Sequence, residues 1–79
     1  MTKTTTNPLA LARLITAMAE EIDALHWNFT DYAVALEELK ETNEGVKRFD
    51  YADTHADRAM ACLRDAERHM KEIANLLQH

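Results

Sequence analysis

The sequence predicts an all-α fold, an antiparallel two-helix hairpin that pairs with a second copy into a four-helix bundle. Three observations carry this. One glycine and one proline in 79 residues leave almost no punctuation, and the chain is rich in helix-favouring Ala, Leu and Glu. Apolar residues recur in alternating steps of four and three along two long stretches, which is the heptad a/d pattern. The single glycine, Gly45, falls between those stretches, where a hairpin needs its turn.

The elements follow in order. Residues 1–7 are polar and Thr-rich and are expected to form a disordered tail, leaving residues 8–79 as one helical-hairpin domain. Asn7 suits the N-cap, and Pro8 suits the first helical position, where its missing N–H is not needed. The first helix is expected over about residues 8–43. Its seam reads Leu11, Ile15, Met18, Ile22, Leu25, Phe29, Tyr32, Leu36 and Leu39. In that register Leu11 is a d position and Ile15 an a position. Gly45 can take the left-handed C′ conformation that ends the helix. The second helix is expected over about residues 48–78; Asp50 can cap it, with Asp53 three residues on, while Phe49 in the seam points to an earlier start. Its seam reads Phe49, Ala52, Ala56, Ala59, Leu63, Ala66, Met70, Ile73 and Leu77. Ala52, Ala59 and Ala66 are successive d positions, so a neighbouring helix can approach closely, with large residues of the first helix filling the space. Glu67 and Lys71 form a favourably oriented i,i+4 pair.

A hairpin by itself covers only one narrow seam. Ala12, Ala19 and Ala33 at e, Leu14 and Ala35 at g, then Met60 and Ala74 at e and Cys62 and Leu76 at g, widen both stripes. One partner helix does not cover stripes of that width. A symmetric homodimer is the expected solution, because twofold dimers are the commonest closed oligomers.

Charge narrows the function. Residues 8–44 carry two basic and eight acidic side chains, a net charge of −6, while residues 46–79 carry six of each. An acidic first helix argues against binding along nucleic-acid phosphates, which calls for clustered Lys and Arg. The single cysteine, Cys62, excludes a disulfide within the chain and suits a reducing compartment. No stretch is apolar enough to span a membrane or serve as a signal-peptide core. The expected location is the cytoplasm, and neither membrane nor nucleic acid is an expected partner.

No arrangement of residues supports catalysis. There is no Gly-rich phosphate loop, no Ser/His/Asp set and little loop in which to build a pocket. His55, Cys62 and His69 occupy successive g positions, but seven residues span about 10.5 Å of helix, too far for one metal with bonds near 2.0–2.3 Å. Asp23–His26, Asp65–His69 and His69–Glu72 have useful spacing, yet the inward Glu-x-x-His motif of metal-binding bundles is absent. The histidines are expected to pack half-buried at the seam's edge and Cys62 to be a small buried hydrophobe. No cofactor or metal is expected, a metal-binding bundle being the lesser alternative.

Trp27 and Val34 fall at f positions, outside the seam. Asp23, Asp31, Glu37 and Glu38 stand at neighbouring b and c positions. An apolar pair in a polar rim is the pattern of a partner site, and Trp is enriched at interface hot spots. These six residues are the expected partner-binding surface, matched to a protein with a basic or apolar surface. The competing reading buries that flank in the protein's own dimer.

The opening "MTK", the stretch "LALARLI" (residues 9–15) and "HAD" (55–57) followed by "CL" (62–63) resemble the small plasmid-encoded RNA-binding Rop hairpins. The resemblance implies a dimeric four-helix bundle. That family binds RNA through polar residues and an aromatic on the outward face of its first helix. The corresponding positions here are Ala10, Leu14 and Met18, so the shape is carried over and the activity is not. A Rop-like nucleic-acid binder remains an alternative. The favoured reading is a small non-catalytic regulator, inhibitor or adaptor, of a size that suits bacterial or phage proteins, acting by protein–protein binding.

Overall fold

A computed structural model describes residues 7–78. Two helices, α1 (Pro8–Thr42) and α2 (Lys47–Leu77), pack side by side along their length, with no strand among the described residues. Cross-helix partners separate in opposite directions from the turn, Lys40 with Asp53 near it and His26 with Arg64 further away. The helices are therefore antiparallel. Of the expected tail, residues 1–6 lie outside the described residues, and Asn7 belongs to the helix start.

The helix ends show local chemistry. Asn7 Oδ1 accepts hydrogen bonds from the backbone N–H of Leu9 (3.0 Å) and Ala10 (3.3 Å), satisfying two donors the helix leaves open. At the far end Asn43 caps α1, its Nδ2 donating to the Leu39 carbonyl at 3.0 Å. Gly45 does take a positive φ of 84°, but two residues beyond the cap rather than at C′. The turn stays tight through Val46 N–H donating to the Asn43 carbonyl (3.2 Å). Asp50 does not cap α2. Val46 holds that position without a side-chain bond, and Asp50 sits in the first turn, where its charge suits the helix N-terminus. The earlier start carries Phe49 into the packed surface, with the Arg48 guanidinium 4.9 Å from its ring centre.

The seam between the helices is rotated from the expected a/d register to a/e. Four alanines, Ala12, Ala19, Ala56 and Ala74, are buried, together with His26. All but Ala56 are e positions. The a residues Ile15, Ile22, Phe29, Leu36, Phe49, Leu63, Met70 and Leu77 are half-buried around them. The d residues Met18, Leu25, Tyr32, Leu39, Ala59 and Ile73 are exposed instead, Leu25 by 54% and Tyr32 by 66%. Leu11, Ala52 and Ala66 are only partly covered. Helices approach closest where small side chains meet, and the e positions supply those. Bulky d side chains would hold the helices apart, so they turn outward on one flank. Thr16 and Thr30 on the other flank return their hydroxyls to the carbonyls of Ala12 (2.8 Å) and His26 (3.0 Å).

The hairpin measures 54 × 21 × 16 Å with a radius of gyration of 17.5 Å, against about 12 Å for a globule of this length. No large side chain is fully buried among the described residues. The molecule is two helices thick in one direction and one in the other, so each helix shows two open faces.

Candidate functional site

A helix turns about 100° per residue, so residues two apart face nearly opposite ways. Leu25 and Trp27 on α1, and Cys62 and Arg64 on α2, are such pairs, and they divide the hairpin into an apolar face and a polar face.

The apolar face collects the d and g positions. Leu14, Met18, Leu25, Tyr32 and Leu39 run along α1, while Ala59, Cys62, Ile73 and Leu76 run along α2; all are exposed. In its middle, Leu25, Phe29, Ala59, Cys62, Leu63 and Ala66 line a groove of about 480 Å³. Large side chains stand on the α1 side, and apart from Leu63 the α2 side contributes small ones. Cys62, expected to be buried, is exposed in this groove, because the rotation of the seam carries the g positions outward.

The polar face centres on His26, which is only 3% exposed. Its Nε2 accepts a hydrogen bond from Arg64 Nε at 3.0 Å. The imidazole stands edge-on to Trp27, with ring centres 5.3 Å apart at 85°. Around this pair lies an open hollow of about 610 Å³, lined from α1 by Asp23, His26 and Trp27 and from α2 mainly by Arg64, Glu67, Arg68 and Lys71. Arg64, Arg68 and Lys71 follow at steps of four and three, forming one stripe down α2. Arg68 Nη2 meets Asp65 at 3.2 Å, and Lys71 Nζ meets Glu67 at 2.8 Å, the pair anticipated from spacing. The hydrogen bond and charge of Glu67 raise the Lys71 ammonium above its ordinary value of 10.5, with Asp23 and Glu20 adding weaker attraction across the helices. Among the described residues no carboxylate comes within 4.0 Å of Arg64.

The structure treats the expected partner surface unevenly. Trp27 is 60% exposed and Val34 is exposed one heptad away, both on the polar face. Asp23 is half-buried in the hollow beside Trp27. Asp31, Glu37 and Glu38 are exposed further along α1 and do not line the hollow. The rim of Trp27 is thus one acid from its own helix plus cations and acids from α2. His55 and His69 are exposed rather than half-buried. Among the described residues no group of three or more His, Cys, Asp or Glu is placed to hold a metal ion, and no helix is long and apolar enough to cross a membrane.

Sequence reasoning missed the His26–Arg64 contact. The available signal was the e row Ala12, Ala19, His26, Ala33, in which one polar residue interrupts a series of small ones. A burial-capable row with a single histidine calls for a partner, which stands 38 residues away. Compared with protein families, curated proteins and solved structures, this chain matches none.

Proposed function

We propose that this protein is a non-catalytic helical hairpin that acts through protein–protein contact, first with a second copy of itself in a four-helix bundle and then, through the Trp27 side, with another protein. The observation that supports this best is the exposed d/g face. With alanines the only apolar side chains buried among the described residues, a continuous apolar strip is left open along the hairpin, and such strips mark association surfaces. The face is bounded by 54 × 21 Å, on the order of 1,000 Å² per copy, which meets the roughly 800 Å² per partner of a stable complex. The side-chain sizes are self-complementary. The large d row of α1 (Met18, Leu25, Tyr32, Leu39) suits the small d residues Ala52, Ala59 and Ala66 that precede Ile73 on α2 in a second copy. A twofold axis supplies both contacts at once.

The dimer leaves the b, c and f positions of α1 outward, so Trp27, Val34 and the carboxylates Asp23, Asp31, Glu37 and Glu38 stay available to a partner. A small regulator, inhibitor or adaptor of the reducing cytoplasm fits these features, with Cys62 kept as a thiol inside the bundle. Sedimentation equilibrium at micromolar concentration tests the first step. The expected result is twice the 9.0 kDa chain mass; a stable folded monomer would overturn it.

A further inference from the structure

We infer that the hollow formed by Arg64, His26 and Trp27 is a binding site for a carboxylate next to an aromatic or apolar group, presented by a partner protein. This rests on the protein–protein reading and names the chemistry at its outward face. The site is built around one uncommitted cation. The other two cations of the hollow, Arg68 and Lys71, already hold carboxylates of their own helix at 3.2 and 2.8 Å. Among the described residues Arg64 has none, although Asp23, Glu67 and Glu72 line the same hollow. Its only hydrogen bond among the described residues runs from Nε to buried His26.

That bond does more than occupy one donor. A guanidinium is planar with five N–H donors, so anchoring Nε to a buried imidazole fixes the plane and leaves the Nη1/Nη2 fork for a ligand. Two parallel N–H donors match the two oxygens of a carboxylate, and a fork already held in place loses less freedom on binding. Trp27, exposed at the same hollow and steadied edge-on by His26, offers an apolar surface beside the fork. Trp and Arg are both enriched at interface hot spots. The lining also selects against multiply charged anions. Its three acids balance its three cations, so a dianion such as phosphate meets repulsion that one carboxylate, engaged by the fork, largely avoids. His26 is the positioning residue and Arg64 the binding one.

Trp27 is the sole tryptophan and reports on its own hollow. The test follows its fluorescence, and the Arg64 Nε–H signal in ¹H–¹⁵N spectra, during titration of the full chain with four probes. These are N-acetylphenylalanine, its amide, N-acetylglutamic acid α-amide and inorganic phosphate. Saturable change with N-acetylphenylalanine and none with its amide is the expected result. The relative response to the glutamate probe tells a chain-terminal carboxylate from a side-chain one. Arg64→Gln should weaken binding about tenfold or more, and Arg64→Lys, which keeps the charge without the fork, should also weaken it. Arg58→Gln, on the exposed side of α2 outside the hollow, should bind like the wild type. No saturable response to either carboxylate, equal response to acid and amide, equal affinity in the folded Arg64→Lys variant, or tighter binding of phosphate overturns the proposal. The hollow lies within one protomer, so its failure is separate from failure of the dimer. A binding-competent monomer removes only the self-association, and a dimer that ignores the carboxylates removes only this site.

Discussion

At the scale of single residues, His26 and the small e positions determine how the helices meet. His26 fills the seam and satisfies Arg64, so His26→Ala removes both volume and acceptor. The expected cost is about 2 kcal/mol in urea unfolding, by comparison with other large-to-small changes and lost hydrogen bonds. His26→Gln, which can still accept from Arg64, should lose clearly less. Ala19 is fully buried against α2, so Ala19→Leu must push the helices apart and is expected to destabilise by roughly 1–3 kcal/mol. Ala17 is two residues away and exposed, and Ala17→Leu should change stability by no more than about 0.5 kcal/mol. The pair of alanine variants checks the register directly. An a/d seam would make Ala19 a boundary position that tolerates leucine, so equal stability of the two variants would sink the a/e seam.

At the scale of the helices, extent was legible and rotation was not. Pro8 and Gly45 are the sole proline and glycine, Asn7 is a capping type directly before Pro8, and each marks a boundary through its own local chemistry. The ends therefore fall within a residue or so of where they were read. Rotation about the helix axis depends on which partner takes which stripe. Leu25 at d and Phe29 at a look alike to a periodicity argument, because both are apolar and belong to one heptad. Only the partner's dimensions separate them, and Ala12, Ala19 and Ala74 invite a close neighbour that Leu25 and Tyr32 do not. His26 was illegible for a related reason, since its burial depends on Arg64 from the other helix. The boundaries themselves yield a test. Asn7→Ala removes two N-cap hydrogen bonds and should cost about 1 kcal/mol. Gly45→Ala would place a Cβ in open space, so only its positive φ is penalised, by about 1 kcal/mol. Gly45→Asn should lose less, since Asn tolerates that conformation. Thermal melts followed by circular dichroism measure all three.

At the scale of the whole molecule, the two open faces make different demands on stability. The polar face is stable as it stands, with its carboxylates and cations paired or solvated. The apolar face is not, because water is its only cover in a single hairpin. Burying apolar area contributes about 25 cal/mol per Å², so covering that strip with a second copy would add more than any interaction inside one hairpin. Stability should therefore depend on concentration. For a dimer whose protomers fold on association, the melting midpoint rises with total chain concentration by mass action, whereas an isolated hairpin melts at one temperature at every dilution. Charge placed on each face separates their roles. Leu25→Glu combined with Ile73→Glu puts carboxylates on the apolar strip of both helices, and should yield a monomer of reduced helicity whose midpoint no longer moves with concentration. Trp27→Glu changes the opposite face and should leave both the mass and the concentration dependence unchanged. A concentration-independent midpoint for the wild type over a hundredfold dilution would place the folding energy within the single hairpin. The close alanine seam between α1 and α2 would then be sufficient by itself.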